Sequence, residues 1–342
     1  ASMVELSKMD YMIQQVREAG AKVILITDNN QFTAVGMAGA SKVASDIAGS
    51  AKLSVVQRQR NPEQARATQL LGNYKIDEAI ELYSKLGILR IHESEEETQK
   101  ALVSDYINTY IHQAKLLAKD DLAAIKSVVI CAYTNEAVSR FNQTVRKQLK
   151  EAGILKGSGE TFMMRNKSLE LMRGEQIVFE ANSRKYGILN GEVGTVINFS
   201  RVKNEESGEF NKFGYNTSSH GIIKILVNKA DGSKKLINLD TRQKYVRFTY
   251  GYAVTAHKLE GGSIHNTLVY YEKEVGYEAF NVMMTRHRES LKFYANQQEL
   301  EDNVYTRLNL DAEQAGKTYD IVTAKNLLAR NLPSTDWPLW QV

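Results

Sequence analysis

Two segments in the last third of the chain combine cations, hydroxyls and glycines in a way that suits phosphate chemistry. In the first, Thr255, His257 and Lys258 precede a Gly-Gly turn that begins at Gly261. The second is a Thr-Arg-His-Arg cluster that contains Arg286. Arginine presents a fork of N–H donors that matches phosphate oxygens. Each segment alone also fits an exposed charged loop, so their order and spacing carry the argument.

Asp28 and Gln31 form a further candidate pair. They follow the apolar run 22–27, which is typical of a buried parallel strand. Ligands of open α/β sheets bind beyond the carboxyl ends of the strands. A glutamine there can hydrogen-bond the γ-phosphate of a nucleotide or its attacking water. The alternative interpretation is an ordinary polar loop between a strand and a helix.

Arg58 and the pair Thr134 and Asn135 are the remaining candidates. Arg58 follows a short apolar run, and it fits either a phosphate contact or the charged start of a helix. Thr134 and Asn135 follow the apolar run 127–132. They fit either the cap of the next helix or a contact with a nucleic-acid phosphate. Both alternatives stay open for each candidate.

The composition is that of an ordinary globular protein. The chain has 342 residues, of which 43% are hydrophobic and 25% charged, and about 150 residues per domain predicts two domains or two plus an insert. A net charge of +4 permits a polyanionic partner without requiring one. Cys131 is the only cysteine, so no intrachain disulfide or cysteine-based metal site is expected. We expect a cytoplasmic protein, because no apolar run approaches the ~20 residues of a membrane span.

The elements that position these residues alternate between helix and buried strand. An amphipathic helix is predicted over 3–19, and apolar runs at 22–27, 87–91 and 127–132 predict parallel strands. This alternation favours an α/β fold. Short alternating strands with hairpin turns at Asn190-Gly191 and Asp231-Gly232 then predict a small β-barrel-like module inserted into the α/β domain. After this module, we expect the strands 246–249 and 267–271 to rejoin the sheet that contains 127–132.

In their order along the chain, the motifs resemble those of superfamily 1 DNA helicases of the RecD-like group. The matching segments are Asp28 with Gln31, Arg58, Thr134 with Asn135, 255–261 and 285–288. Gly-Tyr-Ala-Val-Thr-x-His-Lys and Thr-Arg-His-Arg-Glu look most like the helicase part of conjugative relaxases of the TraA/TraI kind. The segments 173–179 and 187–196 resemble the SH3-like insert of that group. The resemblance covers roughly residues 1–296.

The resemblance implies a domain organisation of a RecA-like motor. Residues 1–50 would be the end of a first RecA-like domain, and 51–169 with 246–300 would form the second one. An SH3-like β insert would occupy 170–245, and 301–342 would be a C-terminal tail.

The resemblance also implies a role for each candidate residue. Gln31 would sense the γ-phosphate of ATP, Arg58 would contact phosphate, and Arg286 would act as an arginine finger. Asp28 and Gly261 would join them in binding the nucleotide. Thr255, His257 and Lys258 would couple that site to single-stranded DNA, while Thr134 and Asn135 would contact the DNA backbone.

The phosphate-binding half of such a motor has no counterpart among these 342 residues. Helicases of this kind carry Gly-x-x-x-x-Gly-Lys-Ser/Thr, whose backbone amides and lysine hold the phosphates, and no such segment occurs here. The Asp77-Glu78 pair begins a helical pattern rather than following a strand. In the family this chain resembles, the acidic pair usually precedes an Ala-Ser-Met-Val-like stretch, and this chain begins Ala1-Ser2-Met3-Val4. The resemblance therefore implies that the sequence begins just after the Mg²⁺-binding carboxylates, as a fragment or a shortened gene product. ATP and Mg²⁺ would serve the intact parent protein, without binding tightly here.

Two functions of different classes remain open at this stage. The chain is either the C-terminal motor portion of a conjugative DNA helicase, inactive alone, or a degenerate remnant that at most binds single-stranded nucleic acid. Leu259 and Glu260 favour the remnant, because the family usually has Ser and Gln there and an acidic group should repel phosphate. Expected partners are single-stranded DNA, bound weakly, and a separate chain that carries the P-loop domain. No metal-ligating set and no membrane partner are expected.

Overall fold

The computed structural model describes residues 6–26, 51, 56–164, 167–201, 221–229, 231–242 and 247–300. Asp28, Gln31 and the tail 301–342 lie outside these ranges. The helices of the described part are α1 (Leu6–Glu18), α2 (Pro62–Gly72), α3 (Ile76–Lys85), α4 (Glu95–Ala118), α5 (Asn135–Glu151), α6 (Ala256–Leu259) and α7 (Tyr277–Thr285). None of these helices is both long and apolar enough to cross a membrane.

The strands fall into a parallel and an antiparallel group. They are β1 (Leu89–His92), β2 (Val128–Ala132), β3 (Glu160–Met164), β4 (Lys167–Leu171), β5 (Gln176–Phe179), β6 (Val193–Arg201), β7 (Gly221–Asn228), β8 (Lys234–Asp240), β9 (Phe248–Tyr250), β10 (Ala253–Thr255), β11 (Ile264–Tyr270) and β12 (His287–Asn296). The order β1-β12-β11-β2-β10 forms one sheet in which every pairing is parallel. The predicted α/β architecture is therefore confirmed.

Helices cover both faces of the parallel sheet, which explains its continuous apolar strands. All five residues of β2 are buried, as expected when a strand packs on both sides. On one face, α2, α3 and α7 enclose a core with the inward side chains of β2, β11 and β12. On the other face, α4 and α5 enclose a second core. The candidate residues among the described ranges therefore lie at strand ends, at helix ends and in the connecting segments.

The second sheet is antiparallel, with the order β8-β7-β6-β5-β9, and β3 and β4 form a separate hairpin. This sheet has its own apolar core, to which Phe248 belongs. A β-rich unit outside the parallel sheet was expected over 170–245, and its SH3-like identity stays a prediction. Residues 246–249 were expected to rejoin the parallel sheet, and this was wrong. β9 pairs with β5 instead, because Phe248 is buried in the core of the antiparallel sheet.

The apolar run 22–27 was expected to be a buried strand, and its described part is not. Residues 21–26 adopt no regular structure, and Ile24 and Ile26 are 86% and 81% exposed. A parallel strand needs neighbours that supply hydrogen bonds and cover its side chains. Within the described ranges, no strand pairs with this segment.

The antiparallel sheet is joined to the parallel sheet by a polar contact that lies inside the protein. Arg146 of α5 donates from Nε to Oε1 of Glu175 at 2.6 Å, and Glu175 is fully buried. The hydroxyl of Tyr252 donates to the same oxygen at 3.1 Å. The next residue, Gln176, donates from its amide to the carbonyls of Val128 and Gly251. These bonds connect β5 to β2 and to the segment between β9 and β10.

Removal of the arginine from this contact should destabilise the protein strongly. Arg146→Met leaves Glu175 buried without its cation, and breaking a buried pair in this way costs about 3–5 kcal/mol. Burial already raises the pKa of Glu175, with Arg146 opposing that shift, so protonation will offset part of the loss. Urea denaturation followed by circular dichroism measures the change.

The matched control is Lys147→Met, one residue along α5. Lys147 is 75% exposed and lies 3.8 Å from Glu151, so its loss should cost less than about 0.5 kcal/mol. Equal losses in the two variants would contradict a structural role for the buried pair.

Candidate functional site

Arg58 lies at the amino edge of the parallel sheet, beside residues more than 200 positions later. Its Nη1 donates to the carbonyl of Thr285 and its Nε to Oγ of Ser263, both at 2.9 Å. The adjacent Gln59 donates to the carbonyls of Thr285 and His287. The segment that carries Arg58 is thereby fixed to the starts of β11 and β12. The structure thus brings Arg58 to the Thr-Arg-His-Arg cluster, while its role in binding phosphate stays a prediction.

Arg286 occupies a buried position at the end of α7. The residue is 2% exposed. Its Nε donates to the carbonyl of Val282 and its Nη2 to Oγ1 of Thr285, each at 3.3 Å. The guanidinium therefore bonds back onto its own helix. A role as an arginine finger would require the side chain to leave this position.

His287 belongs to the core rather than to a reactive surface. It is fully buried, and burial lowers the pKa of its imidazole to about 4. At neutral pH the ring is therefore uncharged, and it offers no positive charge to a phosphate. His287 therefore does not share the phosphate-binding role predicted for the neighbouring Arg286.

Gly261 provides open space near Arg58. Its φ is +78°, and a Cβ added there would meet no atom within 4 Å. The turn leads through Gly262 into Ser263, which holds the guanidinium of Arg58. A left-handed backbone at this point favours glycine. Arg58 and Gly261, both predicted to bind the nucleotide, therefore lie on the same side of the sheet. The turn that contains Gly261 is uncrowded and leads directly into β11.

The predicted DNA-binding residues lie at the opposite, carboxyl edge. β2 and β10 are adjacent, with Thr255 paired to Ala132, so the loops that follow them emerge together. Thr255 caps α6 by accepting from the amide of Lys258 at 3.3 Å. His257 is exposed, and its ring centroid is 6.5 Å from that of Tyr133. The two predicted loops therefore form one surface.

Thr134 caps α5, as its alternative interpretation predicted. Its Oγ1 accepts from the amide of Ala137 at 3.1 Å, and Asn135 is the exposed first residue of the helix. Glu272 contacts the same helix end. Its carboxylate accepts from the amides of Tyr133 and Thr134 at 2.5 and 3.2 Å, and also from the Thr134 hydroxyl. An intramolecular anion therefore occupies a place that suits a phosphate.

Sequence reasoning missed Glu272. It is 7% exposed and follows the apolar strand β11 at the same edge as Thr134. The available signal was its position: an acidic residue at the carboxyl end of a buried strand, where ligand-binding groups collect.

The antiparallel sheet touches the His257-Lys258 loop. Lys258 forms an ion pair with Glu180 at 3.1 Å. The Asn190-Gly191 turn approaches so closely that a Cβ at Gly191 would collide with the carbonyl oxygen of Lys258. The predicted hairpin glycine therefore has a second function, because it lets the β unit approach this loop.

Comparison with known proteins supports the family read from the motifs. Residues 1–95 match the AAA domain family AAA_30. The chain is 26% identical over 294 residues to the conjugal transfer protein TraA of Agrobacterium fabrum, which covers 86% of this chain and 24% of TraA. It is 24% identical over 318 residues to TraA of Rhizobium radiobacter, covering 93% of this chain and 26% of that protein. The chain thus spans about a quarter of the length of these curated relatives.

A solved structure shows the same fold. The Pif1 helicase from Candida albicans superposes with a TM-score of 0.53 at 16% sequence identity, covering 90% of this chain and 74% of that chain. The parallel sheet is therefore of the RecA-like type found in that helicase.

Gly191→Ala should destabilise the protein more than Gly261→Ala. Both glycines have positive φ, +84° and +78°, so each alanine should lose about 1–2 kcal/mol through backbone strain. Only at Gly191 does the added methyl group meet a backbone atom, the carbonyl oxygen of Lys258. Such overpacking should cost about 1–3 kcal/mol more. Urea denaturation of both variants tests this, and equal losses would argue against the close approach.

Proposed function

We propose that this chain, a relative of the TraA-type superfamily 1 helicases, supplies the second RecA-like motor domain and its β insert to an ATP-dependent DNA helicase of conjugative transfer. The observation that carries the proposal is that the candidate residues form two groups, one at each edge of the parallel sheet. Arg58, Gly261 and Arg286 lie towards the amino edge, whereas the Thr134 and His257 loops meet at the carboxyl edge. The parallel sheet would thus link the nucleotide-binding residues at its amino edge to the single-stranded DNA bound at its carboxyl edge.

On this proposal, Arg58 and Arg286 would bind the nucleotide from the side of the second motor domain. Bound ATP and Mg²⁺ supply the phosphoryl group and a divalent cation that offsets its charge. Arg58 already directs two donors at oxygen atoms, so its guanidinium is oriented before any ligand arrives. Asp28 and Gln31 stay predicted members of the site. A P-loop segment, which these 342 residues do not contain, would hold the remaining phosphate oxygens.

The carboxyl-edge surface would bind a single strand of DNA. Lys258 and His257 would contact phosphate, and the half-buried Tyr133 would offer a ring for base stacking, worth about 1–3 kcal/mol per base in other proteins. Tyr252, the other tyrosine beside these motifs, is fully buried and takes no part. Asn135 is exposed at the start of α5, within reach of the same surface.

Three observations favour the second candidate, a remnant that no longer couples nucleotide to DNA. The buried position of Arg286 leaves it 2% exposed, and Glu272 occupies the end of α5 where a phosphate would bind. Glu260 adds a negative charge after Lys258. In this candidate the fold persists and only weak strand binding remains.

The 342-residue chain should not hydrolyse ATP by itself. Its sequence contains no Gly-x-x-x-x-Gly-Lys-Ser/Thr, and the P-loop and metal carboxylates provide most of the charge stabilisation in phosphoryl transfer. Phosphate release measured with and without oligothymidine provides the test. Turnover above background that disappears in Arg286→Ala would contradict this expectation.

Binding of oligothymidine should be weak and salt-sensitive. Each phosphate neutralised on a single strand adds about −0.7 to the slope of log affinity against log salt, so Lys258→Gln should flatten the slope by about that amount. Glu260→Gln should tighten binding modestly, because it removes a repulsive charge. Fluorescence anisotropy at two salt concentrations measures both effects.

Lys147→Gln is the control, since this exposed lysine lies on α5 and pairs with Glu151. The helicase proposal fails if no binding occurs at low salt while circular dichroism shows a folded chain. An equal effect of Lys147→Gln would show that total charge, rather than the carboxyl-edge surface, governs binding.

A further inference from the structure

A polar cleft of about 610 Å³ lies at the amino side of the parallel sheet, where the hairpin between β7 and β8 meets the motor domain. The second half of α4 forms one wall, and the hairpin around Gly232 forms the other. The starts of β2, β11 and β12 contribute Lys126, Asn266 and Glu289. This cleft contains none of the residues assigned above to nucleotide or DNA.

Cations from three separate elements line this cleft. Arg60 comes from the segment before α2, Lys126 from the loop before β2, and Lys234 from the first position of β8. Glu289 is the only carboxylate among the lining residues. It accepts from Arg60 Nη1 at 2.9 Å and from Lys126 Nζ at 2.5 Å. The cleft therefore carries more positive than negative charge.

Lys234 is fixed at the cleft wall by its neighbours. Its ammonium donates to the carbonyl of Leu122 at 3.3 Å and to that of Ala123, and an ammonium has three donors. Burial lowers the pKa of Lys234, Lys126 lowers it further, and Asp121 and Glu289 oppose the shift. Crowded like charges of this kind are relieved when an anion binds.

We propose that this cleft binds a phosphate-bearing ligand, held by Arg60, Lys126 and Lys234. Guanidinium and ammonium donors form charge-assisted hydrogen bonds with phosphate oxygens. Glu289 already demonstrates that an oxyanion fits between Arg60 and Lys126, and the volume of the cleft exceeds what one small anion needs. Because β8 supplies Lys234, the ligand would join the β unit to the motor domain at the edge opposite the DNA surface.

Isothermal titration of the full chain with inorganic pyrophosphate tests the site. Lys234→Gln and Lys126→Gln should each weaken binding about tenfold or more, because each variant removes a charge-assisted hydrogen bond to the phosphate. Lys147→Gln should leave the affinity unchanged, because Lys147 lies outside the cleft on α5. Circular dichroism verifies that each variant is folded.

Competition with oligothymidine identifies the source of the phosphate. If the oligonucleotide displaces pyrophosphate and Lys234→Gln weakens both, the natural ligand is a strand backbone. If pyrophosphate stays bound, the ligand is a free phosphate compound. Two results would overturn the proposal: the absence of pyrophosphate binding, or binding that Arg58→Gln weakens while Lys234→Gln does not. The effect of Lys258→Gln on binding of single-stranded DNA is measured separately. The cleft proposal and the helicase proposal can therefore fail independently of each other.

Discussion

Moving a carboxylate out of water costs several kcal/mol unless a cation and further hydrogen bonds compensate inside the protein. Glu175 meets that condition through Arg146 and Tyr252, and the adjacent Gln176 bonds to the backbone of both sheets. This contact fixes the orientation of β5 relative to α5 and β2. The rest of the β unit follows from it, because β6 and β9 both pair with β5.

That orientation determines what each edge of the parallel sheet presents. At the carboxyl edge, the Asn190-Gly191 turn comes against Lys258, and Glu180 pairs with the same residue. At the amino edge, the hairpin before β8 brings Lys234 to Lys126 and Glu289. The β unit thus contacts the α/β domain at both edges of the parallel sheet.

The sequence predicts those parts of the fold that depend on local pattern. Continuous apolar runs predicted β1 and β2, and the Asn-Gly and Asp-Gly pairs predicted turns within the antiparallel sheet. The pairing partners of a strand are harder to predict from sequence, as β9 illustrates. The sequence of this three-residue strand does not show which sheet it joins, because the burial of Phe248 in the core of the antiparallel sheet determines the pairing. The site shows the same division. The resemblance assigns Arg58 and Arg286 to one nucleotide site, which stays a prediction, although Arg58 does bond to the carbonyl of Thr285. The burial of Arg286 and the carboxylate of Glu272 depend on packing between distant strands, which the sequence does not show.

The carboxylate of Glu272 affects how the affinity for single-stranded DNA would depend on salt concentration. A phosphate that reaches the amides of Tyr133 and Thr134 must exchange with a carboxylate that already accepts from them. The displaced carboxylate returns to water and attracts its own cations from solution, while the phosphate releases a similar number. Binding at this helix end would therefore be an ion exchange with little net counterion release. Contacts there would be nearly invisible in a salt titration, even where they hold the strand.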